Sequence, residues 1–333
     1  MEKAGIVVVT GASAGIGRAV ARRFGQARWR VALIARGVDG LEGARREIEQ
    51  AGGEAMVIPA DVADHEAIEA AADRVEREWG PIDVWINDAM VTTYCEFMDM
   101  PPADFRRATE VTYMGSVWGI RAALARMLPR DRGAIVQVGS ALAYRSIPLQ
   151  SAYCGAKSAL RGFIDSLRSE LLHRKSGVKL SMVQLSAFNT PQFDWGKACI
   201  GKQPQPVPPI FQPEVAAEGI YYAALHPRRE LWVGWPAVKA ILGQRVIPGF
   251  LDRLLAKRGY AGQHTDEPLP PGRRDNLYEP VPGDHGAHGR FDDRSKPRSL
   301  QLEINMQRGA IAAGALAAGL AALAGWTWRR RLR

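Results

Sequence analysis

Apolar residues fall in short, nearly continuous runs along the first 235 positions: Ile6–Thr10, Val31–Ala35, Ala55–Pro59, Val84–Asn87, Ala134–Val138, Lys179–Leu185 and Leu231–Val233. A strand that shows one face to water alternates apolar with polar, whereas a strand covered on both faces does not. Between the runs lie stretches with helical periodicity: Ile16–Ala27, Leu41–Gln50, His65–Trp79, Asp104–Leu128 and Ala156–His173. Strand and helix alternating this often predict right-handed crossovers and an α/β fold built on a doubly wound parallel sheet, a Rossmann fold. Residues 236–260 continue as amphipathic helix. The expected organisation is a catalytic domain over 1–260, a linker or surface wrap over 261–307, and an apolar helix with a basic end over 308–333.

The middle segment is set by composition. Pro268, Pro270, Pro271, Pro280, Pro282 and Pro297 punctuate it, with Asp292-Asp293-Arg294 among them, so little regular structure is expected. Residues 309–328 carry no charge and include nine alanines and four glycines. As a helix they would reach about 30 Å, the thickness of a bilayer core. Trp326 and Trp328 beside the terminal arginines suit an interface. The small-residue spacing also suits close packing on another helix. Both a membrane anchor and an association helix are therefore expected readings. Arginines favour the cytoplasmic side, yet so does a cofactor-binding body, and a single span cannot satisfy both.

The whole chain of 333 residues carries a net charge of +9, from 44 basic and 35 acidic residues. Five of the nine charges sit at Arg308, Arg329, Arg330, Arg331 and Arg333, which leaves the body at +4. No basic run interleaved with aromatics accompanies them, which argues against nucleic acid. Cys95, Cys154 and Cys199 are too few and too scattered for a disulfide framework or a zinc site, and are expected to be reduced thiols on the cytoplasmic side. The N-terminus enters the first strand without room for a signal peptide. His285 and His288 read as a solvated loop rather than metal ligands, and Trp85, Trp118, Trp195, Trp232 and Trp235 as core or pocket wall.

Two clusters carry chemistry. Thr10-Gly11-Ala12-Ser13-Ala14-Gly15-Ile16-Gly17 joins the first strand to a helix. Main-chain N–H groups at a helix N-terminus can approach a dinucleotide's pyrophosphate only where side chains are missing, and glycines at 11, 15 and 17 provide that clearance. At the end of the second strand, where an acid would select NAD by its ribose hydroxyls, stand Ala35 and Arg36. A guanidinium there attracts a 2′-phosphate, so NADP(H) is expected to be preferred over NAD(H), with Ser13 beside Arg36. In Tyr153-Cys154-Gly155-Ala156-Lys157 a phenol and an ammonium share one helix face. A cation about 4–6 Å from a phenol favours phenolate and tunes it toward acid/base work near neutrality. Ser140 ends the strand that begins at Ala134, at the carboxyl edge where such sheets bind ligands.

Taken together, these residues resemble the short-chain dehydrogenase/reductase family over residues 4 to about 235. Thr10–Gly17 matches its TGxxxGxG loop and Asp61-Val62 the pair that holds the adenine. Asn87-Asp88-Ala89-Met90 matches its N-N-A-G turn in part. Ser140, Tyr153 and Lys157 match its catalytic residues, and Thr190-Pro191 matches the threonine that contacts the nicotinamide amide. The resemblance implies that Tyr153 exchanges a proton with the substrate oxygen, that Ser140 holds that oxygen, and that Lys157 binds the ribose and tunes Tyr153. The family's fourth catalytic residue, an asparagine, is Thr112 here, in Val111-Thr112-Tyr113-Met114-Gly115. The proline-glycine that usually precedes the threonine is Leu185-Ser186. Phe188–Trp195 and residues 200–215, with five prolines, are expected to form an apolar lid. The expected function is reversible carbonyl/secondary-alcohol oxidoreduction on a lipophilic small molecule, in a homo-oligomer as the family commonly forms. The alternatives are a non-catalytic NADP-binding scaffold, suggested by Thr112, Met90 and Leu185-Ser186, and an extended-family epimerase or dehydratase, whose G-x-x-G-x-x-G loop does not match.

Overall fold

Seven parallel strands form the central sheet: β1 (Ile6–Thr10), β2 (Arg30–Ala35), β3 (Glu54–Pro59), β4 (Val84–Asn87), β5 (Ala134–Ser140), β6 (Lys179–Leu185) and β7 (Glu230–Val233). Their spatial order is β7-β6-β5-β4-β1-β2-β3. The chain thus winds outward from β1 in one direction, returns, and winds outward in the other. The computed structural model describes residues 5–309.

The continuity of the apolar runs has a direct cause. In β1, Val7 and Val9 join a core cluster with α1 (Gly15–Gln26) and α2 (Val38–Gln50), while Ile6 and Val8 join the opposite cluster with α3 (His65–Trp79). Successive side chains of a strand point to opposite faces, so both sets must be apolar when helices cover both faces. Asp64 caps α3, its carboxylate accepting from the N–H groups of Glu66 and Ala67 at 3.0 and 3.1 Å.

The expected helix over Asp104–Leu128 is divided. It starts at the proline pair as α4 (Pro102–Thr109), widens into a π turn over Glu110–Met114, and resumes as α5 (Gly115–Met127). The next helix, α6 (Ser151–His173), begins five residues before the expected start, bringing Tyr153 into its first turn. It is followed by α7 (Pro213–Leu225), by the hairpin of α8 (Trp235–Val246) and α9 (Pro248–Arg258), and by α10 (Leu300–Met306).

Residues 261–299 form a strap against the body rather than a free tether. Leu277 is fully buried in one core cluster and Ala287 joins the other. Phe291 packs with Tyr94, Phe193 and Ile210. Regular structure in it is short: two pairings, His264–Pro268 with Lys202–Pro204 and Ser295-Lys296 with Ile210-Phe211, and single 3-10 turns at Ala261–Gln263 and Asp292–Arg294.

The expectation of three reduced thiols is corrected. Cys95 and Cys199, 104 residues apart, form a disulfide, and only Cys154 is free and buried. Parallel pairing of Thr93-Tyr94 with Lys197-Ala198 carries the two cysteines to one place, which their separation along the chain conceals. Among the described residues no helix is long and apolar enough to cross a membrane. The expected anchor over 309–328 lies, beyond its first residue, outside the described residues. No metal-binding cluster occurs among the described residues.

Candidate active site

The turn after β1 is shaped by contacts that leave no room for side chains. Gly11 and Gly15 have left-handed backbones (φ +73° and +59°), which cost glycine nothing and other residues strain. A Cβ on Gly17 would lie 2.3 Å from the Gly11 carbonyl oxygen and 3.0 Å from a carboxylate oxygen of Asp88. Gly11, Ser13, Gly15 and Ile16 line a single cavity that continues past Arg36, Asp61 and Val62 at one end and past Lys157, Tyr153, Ser140 and Thr190 at the other.

At the first end the strap closes over the cleft. The Arg36 guanidinium donates to the main-chain carbonyls of Asn276, Leu277 (3.4 Å) and Tyr278 (2.6 Å). Those carbonyls orient the cation without neutralising it, and burial lowers its pKa. Asp61 pairs with Arg107, which also donates to the Leu277 carbonyl at 3.1 Å. Further along, Gly15 N–H donates to the Gly286 carbonyl at 3.0 Å. Asp284 bonds Arg18 at 2.9 Å; Arg18, 2% exposed, is also held by Glu47 and by the Gly40 carbonyl. The strap therefore touches the glycine loop, the end of β2 and the Asp61 turn at once.

At the other end, Ser140 finishes β5, its Oγ accepting from the Leu142 N–H at 3.1 Å. Tyr153 and Lys157 lie one turn apart on α6. Leu149, just ahead of that helix, takes a left-handed backbone (φ +67°) and accepts from the Cys95 N–H at 2.9 Å. Such strain persists only where surrounding contacts impose it, commonly at functional sites.

The expected lowering of the Tyr153 pKa toward neutrality by Lys157 is corrected: the phenol is raised, because burial outweighs its neighbours. The Lys157 ammonium sits 5.6 Å from the centre of the Tyr153 ring and donates to the Val138 carbonyl at 2.9 Å. Burial is the largest influence on Tyr153 and raises its pKa, neighbouring Ser140 opposes this, and Cys154 and Asp88 add to the rise. Burial also pushes the Lys157 ammonium down to about 8, against the pull of Asp88. Asp88 in turn is pushed up to about 6 by burial, with Lys157 and the Gly17 backbone opposing. The site thus contains a coupled acid and ammonium next to the phenol.

Four residues singled out from sequence are placed away from the cavity wall. Thr10 Oγ1 accepts from the N–H groups of Asp88 and Ala89 at 3.1 and 3.2 Å, pinning the turn after β4. Asn87 accepts from the Trp85 indole and donates to the Ser116 carbonyl. Gly17 makes the close approach described above. Thr112 is fully buried in the π turn; its hydroxyl donates to the Val91 carbonyl at 2.9 Å and its own carbonyl accepts from Ser116. Both of its polar groups are thereby committed to the scaffold.

Sequence reasoning passed over Asp88 and left residues 261–307 between a linker and a surface wrap. Asp88 carried a signal, being an acid in a turn that otherwise follows an amide-rich pattern. The strap's contacts are divided between main-chain carbonyls, as to Arg36, and side chains such as Leu277, Asp284 and Phe291, whose partners lie far off along the chain.

Beyond Ser140 and Tyr153 the cavity, about 540 Å³ in volume, is walled by Leu142, Val207, Pro236, Ala240, Leu251 and Leu255. Phe188, Phe193 and Trp195 line it as well, joined by Pro206, Val207 and Pro208 from the proline-rich stretch. The disulfide ties the start of that segment to the loop after β4.

The short chain dehydrogenase family model matches residues 5–195. Oxidoreductase YxnA of Bacillus subtilis (strain 168) is 31% identical over 98% of this chain and 91% of its own length, so the match extends through the strap. Dehydrogenase/reductase SDR family member 7 of Homo sapiens is 36% identical over half of each chain. Among solved structures, an alcohol dehydrogenase from the archaeon Thermococcus sibiricus, complexed with 5-hydroxy-NADP, is similar at 25% identity and a TM-score of 0.60, covering 69% of this chain and 95% of that one. With the Rossmann sheet, the glycine cradle and the Ser140, Tyr153 and Lys157 cluster opening on one cavity, the chain belongs to the short-chain dehydrogenase/reductase family of oxidoreductases.

Proposed function

We propose that the protein is an NADP(H)-dependent oxidoreductase that interconverts a carbonyl and a secondary alcohol on a lipophilic molecule. The observation that carries this is the continuous cavity from Arg36 to Tyr153, with an unneutralised guanidinium at one end and a buried phenol and ammonium at the other.

The residues present fit the cofactor. The glycine turn has space only where a Cβ is missing, and it lines the cavity at Gly11, Ser13, Gly15 and Ile16, although the Gly15 N–H is already taken by the Gly286 carbonyl. Gly11–Gly17 would hold the pyrophosphate, Asp61 and Val62 the adenine, Ser13 and Arg36 the 2′-phosphate, and Tyr153, Lys157 and Thr190 the nicotinamide end. When bound, the cofactor supplies or accepts the hydride at the substrate carbon.

The protein's own residues handle the proton. Ser140 Oγ positions the substrate oxygen, and Tyr153 gives its hydroxyl proton to that oxygen in reduction or takes it in oxidation. Burial raises the pKa of Tyr153, so the phenol holds its proton at neutrality, the form that reduction uses. Lys157, held by the Val138 carbonyl, sets the electrostatic environment of the phenol, and Asp88 supports its charge. The apolar wall from Leu142 to Leu255 excludes water and favours an apolar substrate body.

Turnover of a panel of carbonyls with NADPH tests this, with Tyr153→Phe as control. The variant is expected to bind cofactor normally and to lose about 10²–10⁴-fold in kcat. Cofactor binding without Tyr153-dependent turnover would instead support the non-catalytic scaffold.

A further inference from the structure

The hairpin of α8 and α9 separates the apolar half of the cavity from solvent. Pro236, Ala237 and Ala240 of α8 and Leu251, Leu254 and Leu255 of α9 line the inner side. Its outer side is also apolar. Trp235, Leu242, Val246, Ile247 and Phe250 are 59, 46, 77, 47 and 59% exposed. At 100° per residue, positions 235, 239, 242 and 246 of one helix fall on a single stripe, so three of these side chains stand in line with Lys239. Scattered exposed apolar residues need no explanation, but a contiguous set on one hairpin marks an interaction surface.

The charge around this set identifies its partner. Lys239, Arg245, Arg253, Lys257 and Arg258 are exposed on the same two helices. The only acid there is Asp252, and Arg145 holds it at 2.6 Å. Apolar and aromatic side chains ringed by cations, on helices lying along a surface, match an anionic bilayer interface. A second copy of the chain would bring the same cations against themselves.

We infer that the α8–α9 hairpin seats the protein on an anionic lipid surface, and that the lipophilic substrate reaches Tyr153 from that surface between the two helices. The second half rests on the redox reading above; the first does not.

Co-sedimentation of the full chain with vesicles tests it, comparing phosphatidylcholine alone with phosphatidylcholine mixed with phosphatidylglycerol. The wild type is expected to pellet with the mixed vesicles and not with phosphatidylcholine alone. Val246→Asp combined with Phe250→Asp, and separately Arg253→Glu combined with Lys257→Glu, should each weaken binding about tenfold or more. All four sites are exposed, so circular dichroism and thermal midpoints should match wild type. Because the basic C-terminal residues stay intact in these variants, unchanged binding would overturn the assignment. So would equal binding to both vesicle types, a wild type that remains in the supernatant, or hairpin variants that change a dimer into a monomer without change in lipid binding. Tyr153→Phe should bind vesicles as wild type does, which keeps this test independent of turnover. For substrate entry, the variants should raise KM for a long-chain carbonyl presented in vesicles and leave KM for a short water-soluble carbonyl unchanged. Equal effects on both substrates would overturn the entry route.

Discussion

Asp88 connects the glycine turn to the Lys157 ammonium, since its carboxylate lies against Gly17 and supports that charge. Replacing it with Asn removes the anion, so the pKa of Lys157, already near 8, must fall further. The alkaline limb of kcat/KM in reduction should therefore shift by about one unit to lower pH. A pH–rate profile of Asp88→Asn checks this, and an unmoved limb would show that Lys157 does not control it. Arg36→Asp places an anion among the carbonyls of residues 276–278 and should turn preference from NADPH to NADH. Equal kinetics of the wild type with both cofactors would remove that reading. At this scale much was legible, because Tyr153, Lys157 and Ser140 are recognisable by spacing and end on one cavity. The environment of the phenol was not. Its pKa is set first by burial, with Ser140 opposing and Cys154 and then Asp88 adding, and burial is assembled from distant parts of the chain.

The strands could be read almost to the residue because cover on both faces forces an unbroken apolar run, as in Val84–Asn87. The segment from 104 to 128 shows where this fails. A π turn adds a residue to one helical turn while leaving the apolar periodicity nearly intact, so α4 and α5 read as one helix. The cysteine pairing was hidden for a related reason, since it depends on a two-residue ladder between loops. The disulfide closes a loop of about a hundred residues, and on a chain-entropy model that is worth about 5 kcal/mol. Cys199→Ser should lower the urea midpoint accordingly, with most of the effect reproduced by reductant on wild type. A midpoint within error of wild type in both would mean that the bond is not formed in solution.

Across the whole molecule, titration of the buried pair should show in stability. Asp88 in the folded state holds its proton up to about pH 6, above its ordinary 3.8. The folded protein thus binds the extra proton between those values, and stability from this group falls as pH rises through that window. Lys157 acts with opposite sign. Its folded value near 8 lies below the ordinary 10.5, so its burial penalty is full below 8 and fades as pH rises toward 10.5. Denaturation of wild type and Asp88→Asn at several pH values should show a shallower decline between pH 4 and 6 in the variant. An identical slope would place the proton elsewhere. The strap offers a separate test. Asp284→Ala releases its bonds to Arg18, so hydrogen exchange over residues 273–289 should quicken while the central strands stay protected. The sheet was legible from sequence because its pattern is repeated seven times, whereas the strap joins the body through single side chains and carbonyls whose partners lie far off along the chain, which no periodicity announces.

The strap also imposes an order in time. A ribosome releases the glycine turn and Arg36 first, and some 240 residues later the stretch whose carbonyls settle against that arginine. Until then the nucleotide groove of a nascent chain has a floor and no roof. Coenzyme capture should accordingly wait until that stretch has emerged, and a product truncated before it should fold its sheet yet let the nucleotide slip away.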